Sequence, residues 1–303
     1  MLIYGFREYG DATVQEYIEA PDPVPGPGQL MVELTAAGVN PADIKVRSGL
    51  RSGAVPVSFP MAMGREAAGI VRSVGPGAGF GAGVRVFGQV AAGTGALAER
   101  VVLDAASTAA VPDGLEDARA ACIPISIGTA HDALDQLGLG DGETLLVTGA
   151  GGGVGTAACQ LARLRGLQVI GLASAAKADV VTALGAIHVA SGDGWAGRAR
   201  AAAPGGIAGV IDLVGGEVLV DAAALLSDGS RVISAAAPAE ATALGGSGVH
   251  RRRTGEVFGH LARLIASGDL SPLISARYPF EQAARAVAVV ESGHTLGKVV
   301  VVR

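Results

Sequence analysis

Residues 144–158 read TLLVTGAGGGVGTAA and run on as CQLARLRG. The apolar run Leu145–Val147 stops at a glycine cluster, after which apolar residues recur at helical spacing. This order predicts strand, tight turn and helix. In that setting glycines let backbone N–H groups approach a pyrophosphate, and the helix N-terminus favours its negative charge. The spacing that opens the helix is Ala150-x-Gly152-x-x-Gly155, with alanine in the first glycine slot. Counted from Gly149, the spacing fails at Val154. The next apolar stretch, LQVIGLA, completes a βαβ unit. Together they predict dinucleotide binding centred on Gly152, Gly153, Val154 and Gly155.

The 303 residues suffice for one large or two ordinary domains. Half are hydrophobic and only 4% aromatic, with 47 glycines, which describes a globular chain rich in small residues. A net charge of −5 argues against nucleic-acid binding, and the basic run Arg251–Arg253 is short and isolated. Cys122 and Cys159 lie in apolar, helix-like contexts and read as packed thiols of a reducing compartment. No segment has the apolar length of a membrane span, and MLIYGFREYGD lacks a secretory pattern, so a cytoplasmic protein is expected. There are three lysines against 20 arginines, and Asn40 is the only asparagine, which draws attention to where each sits.

Up to about residue 110 the chain reads as β-rich. Short apolar runs (LMVELTAAGV, AAGIVRSVG, GVRVFGQVA, LAERVVL) are separated by Pro/Gly turns, as in a compact antiparallel barrel. From about 113 to 270 strands and helices alternate, which implies a doubly wound parallel sheet. The segment from Asp113 to Gly138 reads as helical. Strands are expected at 144–148, 167–172, near 187, 209–215 and 231–237; helices at 153–165, 176–184, 217–226 and 255–267. Between Pro238 and Gly255, VHRRR reads as a shortened strand. The tail holds a helix and a final strand that suits a return to the first domain.

The chain resembles the zinc-independent, quinone oxidoreductase-like (zeta-crystallin-like) branch of the medium-chain dehydrogenase/reductase family. Four ordered segments carry the likeness nearly end to end: AAGVNPADIKVRSGL, MGREAAGIVRSVGPGAGFGAGVRVFG, TLLVTGAGGGVGTAACQLAR and GKVVVV. The resemblance implies an α/β protein with a GroES-like β-barrel catalytic domain and a Rossmann doubly wound parallel-sheet domain. The expected boundaries are 1–112 for the first part of the catalytic domain, 113–270 for the Rossmann domain and 271–303 for the return. It also implies a cleft between the domains, a homodimer, and hydride transfer from NADPH to a quinone or an activated alkene.

Zinc-dependent relatives place a Cys and a His where this chain has Asn40 and Arg65, and the third ligand position falls near Ile125. A structural site of four cysteines is impossible with two, and no CxxC or HExxH occurs, so no zinc is expected. Glu66 reads as a structural carboxylate paired inside the barrel. NAD-selective domains carry a carboxylate about 20 residues past the glycine turn. Here Ser174 stands in that place and Lys177 follows, a hydroxyl and an ammonium suited to the 2′-phosphate of NADP(H).

At the reacting end, the resemblance places Asn40 by the nicotinamide ribose. Its amide could hold the ribose or orient a carbonyl, while Asn40–Pro41 also reads as a turn former. Thr129 matches a threonine beside the nicotinamide, or is a hydroxyl bonded back to its own helix. His131 reaches the cofactor, supplies a proton, or packs its helix. Val214 and Ala235 are further candidates for cofactor contacts. Lys45 and Arg51 stand where quinone reductases often carry aromatic residues. Facing the cleft they suit a polar or anionic small molecule; facing solvent they carry no meaning. Two further functions remain open: an enoyl-thioester reductase of a biosynthetic pathway, and a non-catalytic NADPH-binding protein.

Overall fold

The computed structural model describes residues 1–226 and 231–303. The chain packs as two units. Met1–Ile125, Arg253–Gly268 and Ile274–Arg303 form the first; Ser126–Arg252 and Asp269–Leu273 form the second.

The first unit opens with β1 (Leu2–Phe6), β2 (Gln15–Glu19), β3 (Gln29–Val39), α1 (Pro41–Arg47), β4 (Met61–Ala62), β5 (Glu66–Val74), β6 (Arg85–Val90) and β7 (Arg100–Ala110). β2, β1 and β4 make a small sheet. β3 is the long strand of the barrel. Its first half pairs with β7, its whole length with β5, and irregularities at Met31/Val32 and Leu34/Ala36 turn the corner. With β5–β6 and β6–β7 pairings, the strands close on themselves. Leu30, Val32 and Leu34 alternate inward along β3, as period-two patterning requires, and meet Val71, Val86 and Leu103. A short α2 (Asp117–Ala120) and a π-helical turn, Ile123–Ile127, follow, so the segment expected to be one helix is broken before α3 (Gly128–Leu137).

The second unit holds α3, β8 (Thr144–Thr148), α4 (Gly153–Leu164), β9 (Gln168–Ala173), α5 (Ala178–Ala183), β10 (Ile187–Ala190), α6 (Trp195–Ala202), β11 (Gly209–Asp212), α7 (Gly216–Ala223), β12 (Val232–Ser234), α8 (Pro238–Ala243) and β13 (Ser247–Gly248). The sheet is parallel in the order β10-β9-β8-β11-β12-β13. The strand order reverses between β8 and β11, the place where doubly wound sheets open a crevice at their carboxyl ends. Leu146, Ile170, Val210 and Val232 form the sheet's share of the core, covered by Trp195 and Leu219. The shortened strand lies one step earlier than VHRRR suggested: Ser247–Gly248 pairs with β12, whereas His250–Arg253 forms no strand.

The chain then returns to the first unit through α9 (Gly255–Ala266), β14 (Ile274–Pro279), α10 (Ala283–Glu291) and β15 (Lys298–Val302). α9 packs on β7, with Phe258 beside Phe87, although the sequence pattern grouped it with the alternating elements. β15 runs parallel to β14 and antiparallel to the second half of β3, with Val299 opposite Val39. No helix among the described residues is long and apolar enough to cross a membrane. The architecture is a GroES-like barrel domain and a Rossmann domain.

Candidate functional site

The glycine turn sits at the carboxyl end of β8, beside the reversal of strand order. Three glycines do separate work there. Gly149 takes a left-handed φ of 66°, which lets the chain leave β8, and its carbonyl accepts the Gly152 N–H at 3.0 Å. A Cβ at Gly155 would lie 2.3 Å from the Gly149 carbonyl oxygen and 2.6 Å from Ala150 Cα, so α4 can approach the loop only with glycine at that point. A Cβ at Gly151 would come 2.4 Å from Lys177 Cδ, so the lysine stem lies directly on the turn. The spacing pattern includes Gly155, where the backbones approach closely, but it leaves out Gly149, whose role is conformational.

Ser174 ends β9 and is exposed; Lys177 follows within a single turn, half-buried, its N–H bonded to the Ser174 carbonyl at 2.9 Å. Burial pulls the Lys177 ammonium below its ordinary range. Val214 lies next to Gly149: a Cβ on that glycine would be 3.3 Å from Val214 Cγ2. The structure thus brings Gly152, Gly153, Val154, Gly155, Lys177 and Val214 into one neighbourhood. It is shaped for an extended phosphate ester: backbone donors at a helix start, and a cation laid across them.

A carboxylate not singled out in the sequence holds this neighbourhood together. Asp212, fully buried at the end of β11, accepts from Thr148 Oγ1 of β8 at 2.7 Å and from Ser234 Oγ of β12 at 2.6 Å. It also accepts the N–H groups of Val214 and Gly215 at 3.1 Å, while its carbonyl accepts the Ala235 N–H at 2.9 Å. Three strand ends and the loop candidate Val214 are therefore set by one side chain, and the other candidate, Ala235, by the backbone carbonyl of the same residue. The signal was present in the sequence, since GVID ends an otherwise apolar strand on a lone acid.

In the first unit a second buried network surrounds Asn40, which caps α1. Asn40 Nδ2 donates to Glu66 Oε1 at 2.8 Å and to the Gly38 carbonyl at 3.4 Å. Lys298 Nζ donates to Asn40 Oδ1 at 2.6 Å, Glu66 Oε1 at 2.8 Å and the Val39 carbonyl at 3.2 Å, which uses all three of its protons. Glu66 Oε2 accepts the Ile125 N–H at 2.7 Å. Glu66 is thus a paired structural carboxylate, and its partner is one of the three scarce lysines. Burial pulls the Lys298 ammonium down, Glu66 beside it pushes up, and the net shift is upward. The Asn40 amide thus has its short bond on Glu66 and its long one on Gly38, so donating to a further carbonyl would require it to give up the long one.

Asp43 adjoins this network. Its Oδ2 accepts the Asn40 N–H at 2.8 Å, whereas its buried Oδ1 has no hydrogen-bond partner. Burial pushes its carboxyl up to about 7, against the pull of the Asn40 N–H, Lys298 and Arg65. Lys45 and Arg51, on and just after α1, are both half-buried. Between them Arg47 is buried and fixed: it grips Glu291 of α10 with bonds of 2.7 and 3.0 Å.

Thr129 and His131 lie on α3 in the second unit, Thr129 buried. His131 Nδ1 is 3.0 Å from Arg252, which also reaches Asp132 and Asp135. Arg252 therefore ties the segment after β13 to α3.

The donor set does not fit zinc. Where a ligand would be needed, position 40 offers an amide held by an ammonium, position 65 a guanidinium, and Ile125 only its backbone N–H. Among the described residues no three His, Cys, Asp or Glu side chains are grouped to hold a metal ion.

Two family models match the chain. One, described as an alcohol dehydrogenase GroES-like domain, covers residues 26–113; the other, described as a zinc-binding dehydrogenase, covers 184–301. The chain is 34% identical to the spectinabilin polyketide synthase system protein NorB of Streptomyces orinoci over 96% of its own length. It spans 14% of that protein, and between 5% and 8% of three further polyketide synthases. The quinone oxidoreductase from Coxiella burnetii superposes with a TM-score of 0.88 at 25% identity, over 100% of this chain and 99% of that one. The mycobacterial protein Rv1454c, complexed with NADPH, gives 0.86 at 32% identity over 100% of both chains. With this architecture and these relatives, the chain belongs to the medium-chain dehydrogenase/reductase family, which includes quinone oxidoreductase-like members.

Proposed function

We propose that this protein is an NADPH-dependent, metal-free reductase that transfers a hydride to a quinone or to an alkene conjugated with a carbonyl. The observation that carries the reading is the end of β9. Ser174 stands exposed where a carboxylate would select the unphosphorylated ribose, and Lys177 lies across Gly151 of the phosphate turn. When bound there, NADPH supplies the hydride and with it two electrons.

The chain's own residues bind and orient. Backbone N–H groups of Gly153, Val154 and Gly155 hold the pyrophosphate against Gly152, and the Ser174 hydroxyl and Lys177 ammonium hold the 2′-phosphate. Asp212 keeps Val214 and Ala235 in place along the cofactor. Asn40 and Thr129 serve its nicotinamide end. As the β carbon of the substrate gains hydride, charge builds on the carbonyl oxygen and needs a donor; solvent then protonates the α carbon. The absence of zinc from this reading rests on the donor set at positions 40, 65 and 125. The likeness to an NADPH complex and to a quinone oxidoreductase supports the rest. Cytoplasmic, homodimeric action belongs to the same reading.

A second reading, reduction of an enoyl thioester, is favoured by the polyketide synthase relatives. The test is consumption of NADPH and of NADH with quinones, enones and enoyl thioesters, with and without a chelator. Chelator-insensitive oxidation of NADPH is expected, and the best acceptor class separates the two readings. Ser174→Asp/Lys177→Ala should lose NADPH activity and gain NADH activity. Unchanged NADPH activity with no gain for NADH sinks the cofactor assignment.

A further inference from the structure

Arg65 directly precedes Glu66 at the start of β5, and its backbone is held by the Val90 N–H at 3.2 Å. Its side chain is not held. The guanidinium is half-buried, and among the described residues it has no hydrogen-bond or ion-pair partner; the same is true of the Arg51 side chain. This sets the two apart from Arg47, Arg72, Arg85 and Arg277 of the same unit, each of which faces a carboxylate.

The charges felt by Arg65 are Asp43, which attracts, and Arg51, which repels. Asp43 offers little in return: one of its oxygens serves the Asn40 N–H and the other is buried without a partner. Its carboxyl, pushed up to about 7 by burial, is in part protonated near neutrality and competes the less for a cation. A half-buried guanidinium has given up part of its water and still presents five donors, so it gains most from an acceptor that arrives from outside. Two neighbouring guanidinium groups favour an anion with more than one oxygen, which each can grip in bidentate fashion.

We infer that Arg65 and Arg51 hold an acidic group of the substrate, a carboxylate or a phosphate carried by the molecule whose conjugated alkene is reduced. The inference rests on the reductase reading above and narrows its substrate class. It also gives a use to position 65, where a metal-dependent relative would place an imidazole.

The experiment compares an acid with its neutral twin. Acetylacrylate and its methyl ester test the carboxylate source; crotonyl-CoA and crotonyl-N-acetylcysteamine test the phosphate source. In the wild type the charged member of one pair is expected to show a kcat/KM about ten- to a hundredfold higher, from a charge-assisted hydrogen bond. The difference should lie mainly in KM. In Arg65→Met that ratio should fall to about one, and in Arg65→Lys it should recover in part. A ratio that is the same in wild type and in an Arg65→Met variant of unchanged melting temperature overturns the inference, as does a wild type that discriminates in neither pair.

Binding is measured separately by calorimetry with levulinate, methyl levulinate and inorganic phosphate. If no acceptor is reduced at all, the reductase reading fails, and these titrations still decide the anion site. Binding of levulinate or phosphate that is lost in Arg65→Met supports it; equal binding, or none by the wild type, refutes it.

Discussion

Gly155 shows how much one hydrogen can matter. Its missing Cβ is the space into which the Gly149 carbonyl fits, 2.3 Å from where that carbon would stand. Gly155→Ala should therefore destabilise the protein by roughly 1–3 kcal/mol and weaken NADPH binding, whereas Gly152→Ala, with its nearest contact at 3.4 Å, should leave stability close to wild type. Urea unfolding and fluorescence titration check both. Asp43 makes a prediction about pH. Its folded pKa is raised from 3.8 to about 7, so between those values the folded state binds more protons than the unfolded one. Its contribution is then fully favourable below about pH 4 and fades as pH rises to about 7. The stability difference between Asp43→Asn and wild type should follow that slope; a difference flat from pH 4 to 7 contradicts it. Lys298 and Glu66 form a buried pair, so Lys298→Met alone should cost roughly 3–5 kcal/mol, while Lys298→Met/Glu66→Gln recovers much of that loss. Urea denaturation of the three proteins decides. The glycines were legible because their spacing records how closely backbones approach. Gly149 left no such trace, because a left-handed φ is not a spacing. Lys298 was invisible for another reason: Glu66 and Asn40 lie 232 and 258 positions away, and its scarcity alone names no partner.

The parallel strands read clearly from sequence, because a strand buried on both faces is a continuous apolar run with a glycine or an acid at its end. β8, TLLVT, and β11, GVID, hold such runs. α9 was legible as a helix but not as to its neighbours. Its apolar stripe carries Phe258 and Leu261, and only the fold tells it to meet Phe87 of β7. β13 is two residues long, below what periodicity can show. α1 and α10 are fastened by Arg47, 2% exposed, on Glu291, which is 31% exposed. That asymmetry has a consequence. Glu291→Leu strands a buried charge and should cost roughly 3–5 kcal/mol, while Arg47→Met leaves a carboxylate that water can reach and should cost less. Denaturant midpoints of the two variants give the order, and the reverse order contradicts the assignment.

The GroES-like and Rossmann halves of the molecule were both legible, since a β-rich stretch followed by strict alternation leaves few arrangements. A ligand that binds only the folded chain raises its stability, by about 2.7 kcal/mol at a hundredfold excess over Kd. NADPH should therefore raise the melting temperature more than NADH at equal concentration, and Lys177→Ala should shrink that difference; equal shifts in the wild type would contradict the 2′-phosphate reading. The last strand has a consequence for how the protein is made. β15 lies between β14 and β3, and it carries the ammonium that neutralises Glu66. On a ribosome, residues 1–125 emerge long before it. Until residue 298 leaves the exit tunnel, Asn40 and Glu66 wait without their cation and the edge of β3 stays open. The second unit waits only for Asp269–Leu273, which is made before residue 298. Of the two units, the one whose first strands are made earlier is thus the one that can finish folding last, and a chain released before residue 298 would carry a second unit attached to an open barrel.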